Sequence, residues 1–434
     1  MEIYVVKAGD TIDTIADEFG VSVNQIIQEN GLLNPFNLIP GQVIVITNPL
    51  QTHIVQEGDI LESIADYYGV TVMQLLRLNP FLHERENIYP GETLTISHNA
   101  DREIVTVGYA YPFIKEETLR RTLPNLTYLS VYNYRATDEG EIISYDDDTE
   151  IIRIAKEYDT VPLVLMTTLT DQGEPDLVVS YNMLLSEEYQ DKQLDNLLNI
   201  IKEKGYLGAN FVFNLINRTI VNLYINFTQK VSNRLKEEGY LTFVTINPGI
   251  TTEGDEVKFE QADYSGISQI ADYTIFLQFI WGVNYGQPAP VSSIYELHSF
   301  VSYAAAMVPP EKFIIGKPVI AYDWTLPFSR RMRGASALTT DAALALASDY
   351  NAVIYLDERS MTPYFQYVQS GLGSPIEHIV WSIDARSIVA LVDLIREYEL
   401  KGSGIWNIMV YIQQLWTIIN ANFDIIKAYP EDIE

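Results

Sequence analysis

An internal repeat fills residues 1–98 and limits what this part of the chain can fold into. The run Val6-Lys7-Ala8-Gly9-Asp10-Thr11-Ile12 matches Val55-Gln56-Glu57-Gly58-Asp59-Ile60-Leu61, and Pro40-Gly41 corresponds to Pro90-Gly91 after one inserted residue. Each copy has an apolar run, a Gly-Asp turn, two brief helical stretches around a Gly-Val corner, and a closing apolar run. The pattern predicts two copies of one βααβ unit, at residues 1–48 and 50–98.

Beyond Arg102 the pattern changes to apolar, β-type runs separated by helical stretches. This alternation is typical of a parallel sheet with helical crossovers, and eight such strands close into a (β/α)8 TIM barrel, here at residues 100–434. We predict its strands at Ile104–Tyr109, Tyr128–Tyr132, Val161–Met166, Ala209–Phe213, Leu241–Ile246, Tyr273–Phe279, Phe313–Ile320 and Ile405–Val410. A small α+β insertion is expected at about 325–385, with a helix at Asp341–Ala347 and a strand at Ile376–Trp381.

Charge and composition limit the classes of molecule that the chain can bind. A formal net charge of −30 disfavours nucleic acid and anionic membrane surfaces, because both would repel the chain. The chain has no Cys, which leaves no disulfide or thiolate ligand, and we expect no cofactor and no metal. The run Asp146-Asp147-Asp148 is more typical of solvated loop acids than of a cation site.

Membrane insertion and export are also disfavoured. The most apolar segment, Ile405–Ile419, contains Asn407, Gln413 and Gln414 and is too short to cross a bilayer. A strand is predicted from Ile3, so no secretory signal is evident ahead of the first repeat.

The repeat units resemble LysM modules. That family grips glycans containing N-acetylglucosamine between the loop after its first strand and the loop before its last. Carried over to this chain, the resemblance implies two sets of glycan-binding residues: Gly9, Asp10, Thr11, Ile12, Ile39 and Pro40, and then Gly58, Asp59, Ile60, Leu61, Tyr89 and Pro90. The alternative is that Gly and Asp are present only for the turn and the helix cap.

The barrel region resembles family 18 glycoside hydrolases, in the branch of spore cortex-lytic LysM hydrolases. The resemblance rests on Val308-Pro309-Pro310-Glu311-Lys312, Tyr322-Asp323-Trp324-Thr325-Leu326-Pro327, Asp384-Ala385-Arg386-Ser387 and Gly404-Ile405-Trp406. It implies cleavage of N-acetylglucosamine-containing glycans, with the substrate's acetamido oxygen as nucleophile and a Glu on the fourth strand as general acid.

The positions of the family's acids hold other residues here. The signature Asp-x-x-Asp-x-Asp-x-Glu falls on Leu207, Asn210, Val212 and Asn214, and the acetamide-binding Tyr-Asp of the sixth strand falls on Phe279 and Ile280. An amide has no proton to give, and losing a general acid costs roughly 10²–10⁴ in rate. These positions therefore predict a chain without glycosidase activity.

Other positions of the family remain. We expect Tyr322, Asp323, Trp324 and Trp406 to be the barrel's candidate sugar contacts, because Trp rings stack on pyranose faces. The alternative is that both Trp residues serve packing alone.

Together these patterns lead to one expectation and one alternative. The expectation is a non-catalytic glycan-binding or structural component of the spore or cell envelope, anchored through its LysM modules and self-assembling as a homo-oligomer. The alternative is an active N-acetylglucosaminidase on peptidoglycan or spore cortex that uses a displaced carboxylate. The candidate carboxylates are those of Asp323, Asp384, Glu253, Asp255 and Glu256.

Overall fold

The structure of the protein is a computed structural model. It describes residues 1–85, 87–169, 176–214, 216–253, 256–277, 286–328, 334–370 and 374–430. At 84, 250–253, 256 and 257 the structure describes the backbone only.

The repeat folds into two βααβ modules, as predicted. The first contains β1 (Glu2–Val5), α1 (Ile12–Phe19), α2 (Val23–Asn30) and β2 (Val43–Ile46), and the second contains β3 (Gln51–Ile54), α3 (Leu61–Tyr68), α4 (Val72–Leu78) and β4 (Thr93–Ser97). A short 3₁₀ helix, Pro80–Glu84, follows α4. In each module the two strands pair antiparallel, and the helices cover a small apolar core of their own.

The rest of the chain forms the predicted barrel with its insertion. Its elements are β5 (Glu103–Ala110), α5 (Glu116–Thr122), β6 (Tyr128–Ala136), β7 (Ile142–Ser144), α6 (Thr149–Glu157), β8 (Val161–Thr167), α7 (Leu177–Leu185), α8 (Glu187–Lys204), β9 (Gly208–Phe213), α9 (Val221–Glu237), β10 (Leu241–Ile246), β11 (Ile250–Glu253), β12 (Glu256–Phe259), α10 (Ser265–Ile270), β13 (Tyr273–Leu277), α11 (Ile294–Ala304), β14 (Phe313–Pro318), β15 (Ala321–Leu326), β16 (Ser336–Leu338), α12 (Thr340–Asp349), β17 (Tyr355–Asp357), β18 (Thr362–Gln369), β19 (Ile376–Trp381), α13 (Ala385–Glu397), β20 (Gly402–Trp406), α14 (Gln413–Asn422) and β21 (Asp424–Ile425). Two further 3₁₀ turns lie at Leu123–Asn125 and Pro310–Lys312.

Eight parallel strands close the barrel in the order β5, β6, β8, β9, β10, β13, β14 and β20, with β20 pairing back to β5. The strands are buried on both faces, because apolar side chains fill the interior and helices cover the outside. The carboxyl ends of all eight strands meet at one rim, which we call the barrel mouth. Active sites of this fold lie at that rim.

The insertion is a lobe built on a five-stranded sheet in the order β16, β15, β19, β18 and β17, with α12 packed against it. We call this sheet and helix the lobe. All of its neighbouring strands pair antiparallel. It is inserted between barrel strands β14 and β20, where the long interval had predicted an α+β unit.

Asp148 of the acidic run is a buried anchor of the fold rather than a solvated loop acid. The hydroxyls of Tyr134 and Tyr206 both donate to its Oδ2 at 2.6 Å, and Lys204 Nζ lies 3.1 Å from its Oδ1. Burial opposes ionisation of this carboxyl, but the hydrogen bonds from Tyr134, Tyr206 and Lys204 outweigh it and lower its pKa.

We expect Asp148→Asn to reduce the free energy of unfolding by about 2 kcal/mol, because two hydroxyl donors lose a charged acceptor. The lowered folded-state pKa means that this stabilisation is present above the unfolded-state pKa and is lost as pH falls through the folded-state value. Urea denaturation at neutral and acidic pH measures both effects, with exposed Asp146→Asn as control. Equal losses in the two variants would contradict this role for Asp148.

Candidate active site at the barrel mouth

Six aromatic side chains form a continuous wall on one side of the barrel mouth. Trp406, at the end of β20, lies with its ring centroid 5.5 Å from Tyr109, 6.5 Å from Tyr111 and 6.0 Å from Tyr132. Tyr111 stacks on Phe113 at 5.2 Å, and Tyr132 stacks on Tyr145 at 6.4 Å. We call these six residues the aromatic wall.

The wall runs from the barrel interior out to solvent. Tyr109 is fully buried, while Phe113 and Tyr145 are 66% and 44% exposed. Aromatic rings that become more exposed along the wall present apolar faces on which the pyranose rings of an extended glycan can stack. Trp406 thus has the surroundings expected of a sugar contact, although its assignment as one stays a prediction.

The floor beneath the wall is a neutral hydrogen-bond network centred on Asn210. Its Nδ2 donates to Ser130 Oγ at 3.0 Å and to the Tyr109 hydroxyl at 3.4 Å, and Thr245 Oγ1 donates to its Oδ1 at 2.8 Å. Burial raises the pKa of Tyr109 to about 12, so its phenol stays neutral. Every member of the network is paired with another, so the network holds the barrel interior together and carries no charge.

Asn214 stands where β9 reaches the mouth. Its Nδ2 is buried and has no hydrogen-bond partner within the described part of the chain. A buried, unpaired donor costs about 1–3 kcal/mol, a cost that an oxygen atom of a bound sugar would relieve. Neighbouring Val212 lies in the barrel interior with 7% of its surface exposed, Leu207 packs against the same interior cluster, and Phe279 and Ile280 lie outside the described residues.

The lobe side chains that were predicted to contact sugar already bond to, or pack against, other parts of the protein. Both oxygens of Asp323 accept hydrogen bonds, one from the Tyr367 hydroxyl at 2.7 Å and one in the pair with His378 Nδ1 at 2.9 Å. Tyr322 and Trp324 are 4% and 2% exposed, and Trp324 Nε1 donates to the Gly286 carbonyl at 3.1 Å. In this conformation their side chains support the lobe, and their contact with sugar stays a prediction.

The candidate proton donors divide into two groups. Asp384 caps α13 through its Oδ1, and its Oδ2 pairs with Arg386 at 2.6 Å, so this carboxylate already has strong partners. The backbones of Glu253 and Glu256 pair in register at the end of β11 and the start of β12, which follow barrel strand β10. Asp255 lies outside the described residues.

A cavity of about 320 Å³ lies beside the mouth, between the first module, the lobe and the start of α14. Val319 and Tyr411, which follow barrel strands β14 and β20, line it together with Asp341 and Arg121. Burial raises the pKa of the Asp341 carboxyl, and nearby Arg121 opposes that shift. Asp341 is therefore a titratable group in a concave site that the sequence did not single out.

Similarity to known proteins extends over the whole chain. A LysM domain family model matches residues 4–47 and 53–97. The cortical fragment-lytic enzyme of Bacillus anthracis is 30% identical over 433 residues, which cover 98% of this chain and 99% of the relative. The chain belongs to the cortical fragment-lytic enzyme family.

Solved structures agree with this family assignment. The crystal structure of the Bacillus cereus spore cortex-lytic enzyme SleL is 28% identical, with a TM-score of 0.79 over 98% of both chains. A chitinase from Chromobacterium violaceum, at 19% identity and a TM-score of 0.63 over 73% of this chain and 98% of its own, shows the fold alone. The predicted LysM modules and family 18-like barrel are confirmed.

The expectation of a non-catalytic chain is wrong. Relatives that align with almost all of the chain are lytic enzymes, from Bacillus anthracis, Bacillus cereus and Bacillus subtilis. The expectation rested on the residues of the fourth and sixth strands alone, whereas a general acid has only to reach the glycosidic oxygen and can stand on any loop at the mouth.

Five members of the aromatic wall were not predicted from the sequence: Tyr109, Tyr111, Phe113, Tyr132 and Tyr145. A signal was available, since Tyr111 and Phe113 directly follow the first predicted strand and Tyr132 ends the second. Aromatic side chains at the carboxyl ends of neighbouring strands meet at one rim of a barrel.

Proposed function

We propose that this protein hydrolyses glycosidic bonds in peptidoglycan fragments of the bacterial spore cortex, as an N-acetylglucosaminidase that works at the barrel mouth. The observation that carries the proposal is the alignment of 98% of the chain with a cortical fragment-lytic enzyme. We assign to the LysM modules an affinity for the same N-acetylglucosamine-containing glycan, which supports a location at the spore envelope.

The mouth has the means to bind such a glycan. The aromatic wall offers stacking faces from the buried Tyr109 to the exposed Phe113. Asn214 offers a buried donor without a partner among the described residues, suited to an acetamido or hydroxyl oxygen. Binding along the wall would bring a sugar ring next to the carboxyl ends of β9 and β10.

The proton for the leaving oxygen then comes from a carboxylic acid at another position, because the Asn214 amide has none to give. We assign this role to an acid of the segment 253–256, whose sequence contains Glu253, Asp255 and Glu256 and whose flanking strands β11 and β12 follow barrel strand β10. Asp323 and Asp384 are poorer donors because both oxygens of each already have partners in the fold. The substrate's own acetamido oxygen can act as the nucleophile, so one protein acid is sufficient for the first step.

Release of reducing ends from purified cortex fragments tests the proposal. We expect the full chain to release them at a rate proportional to protein concentration, and heat-denatured protein to release none. Equal release from the native and denatured samples would contradict it.

Membrane insertion and self-association are two further aspects of this proposal. No helix in the described ranges is long and apolar enough to cross a membrane. Self-association into a homo-oligomer stays a prediction, which sedimentation at neutral pH with and without Ca²⁺ would test.

A further inference from the structure

The two LysM modules differ in how their candidate glycan grooves are exposed, although their loops are built alike. In the first module the Ile39 amide donates to Gln42 Oε1 at 3.0 Å, and in the second the Tyr89 amide donates to Glu92 Oε2 at 2.8 Å. Ile39 is nonetheless 6% exposed and Tyr89 is 55% exposed. The difference arises from what covers each loop.

The lobe covers the groove of the first module. Ile39 packs into the lobe's own apolar cluster, beside Phe365 and Val380. The Ile354 amide donates to the Pro40 carbonyl at 3.0 Å, and Asn37 Nδ2 donates to Ser348 Oγ at 2.9 Å. Half of the groove is therefore filled by the protein's own chain.

The glycine that follows each loop shows the same asymmetry. Gly41 and Gly91 both have left-handed backbones, with φ of +87° and +94°. A Cβ atom built on Gly41 would lie 1.9 Å from the Ile354 carbonyl oxygen, whereas a Cβ on Gly91 has no atom within 4 Å. At Gly41 the backbone of the first module is therefore in direct contact with the backbone of the lobe.

The candidate groove of the second module is exposed. Ile60 and Tyr89 are 57% and 55% exposed and belong to its two facing loops. The Arg85 guanidinium lies 5.3 Å from the Tyr89 ring centroid and pairs with Glu92 at 2.6 Å, which holds the loop in place. This module attaches to the barrel by a different surface, through buried Arg77, 3.9 Å from Asp424, and through His83 against Tyr158.

We propose that the second module alone captures the glycan, through Ile60 and Tyr89, while the first module serves as a structural support that fixes the lobe to the barrel. The inference rests on the proposed affinity of the LysM modules for N-acetylglucosamine-containing glycan. It makes the tandem repeat a single glycan-binding site.

Binding of the full-length chain to purified cortex peptidoglycan tests the proposal. It is measured at low temperature as the loss of protein from the supernatant after the peptidoglycan is sedimented. We expect the double variant Ile60→Ala/Tyr89→Ala to bind at least ~10-fold more weakly, because both apolar contacts are lost. Thr11→Ala, the change at the first-module position that corresponds to Ile60, should stay within about twofold. Since Thr11 caps α1, thermal melting must show that this variant is folded at the assay temperature. Equal weakening by Thr11→Ala, or unchanged binding by the double variant, would overturn the proposal.

Matched glycine variants test the covering of the first groove independently of any ligand. Gly41→Ala and Gly91→Ala introduce the same left-handed strain, but only the first forces a clash with the lobe. We expect Gly41→Ala to lower Tm by roughly 3 °C or more beyond the effect of Gly91→Ala. Equal shifts would show that the lobe does not cover the groove in solution. Hydrolysis of soluble fragments, assayed separately, distinguishes failure of this proposal from failure of the proposed activity.

Discussion

One of the three substitutions Glu253→Gln, Asp255→Asn and Glu256→Gln is expected to lower kcat on soluble cortex fragments by roughly 10²–10⁴, the usual contribution of a general acid. Each variant removes one ionisable proton from the segment 253–256 and changes the side-chain volume little. The loss should fall on kcat rather than KM, because the proton is transferred only in the transition state. Initial rates across substrate concentration and pH measure both parameters.

Two comparison variants locate the donor. Asp384→Asn should keep kcat within a few-fold, because Asn also caps helices and the lost partner is Arg386 rather than the substrate. Asp341→Asn probes the cavity beside the mouth. If Asp341→Asn abolishes turnover while all three variants of the segment 253–256 stay within tenfold of the wild type, the assignment to that segment is wrong.

Removing the central ring of the aromatic wall gives the second large effect. We expect Trp406→Ala to lower kcat/KM by roughly 10–100-fold, because a sugar ring loses the indole face that stacks against it, worth about 1.5–3 kcal/mol. Trp406→Phe should recover part of this loss because it keeps an aromatic face.

The control for that change is Tyr398→Ala. Tyr398 follows the last residue of α13, at the opposite end of the barrel from the mouth, and its ring lies 5.5 Å from that of His298. Its substitution should leave kcat/KM within about threefold. If Trp406→Ala is as active as Tyr398→Ala, the aromatic wall does not belong to the substrate site.

Periodicity predicted most of the barrel, and the exception has a clear cause. The eighth strand was expected at Ile405–Val410 and lies at Gly402–Trp406. Gly402 and Gly404 resemble a turn in the sequence, but they sit in a strand where neighbouring chains approach closely. A Cβ on Gly402 would lie 2.2 Å from the Val105 carbonyl oxygen, a constraint that comes from β5 and not from the local sequence.

The candidate site was less accessible to prediction, because it depends on contacts between distant segments. No local pattern distinguishes Ile39 from Tyr89, since both precede the same Pro-Gly turn in a repeated unit. Their exposure differs because the lobe covers one and not the other. The residues at positions 210, 212 and 214 were identified correctly as non-acidic, but their chemistry could not exclude an acid from a neighbouring loop.

The central claim is that the chain cleaves glycosidic bonds with water. Mass spectrometry of cortex fragments incubated with the full-length protein in H₂¹⁸O tests this directly. We predict smaller fragments whose new reducing ends carry one ¹⁸O atom, absent from samples treated with denatured protein. Fragments of unchanged mass, with no ¹⁸O incorporated after prolonged incubation, would contradict the account.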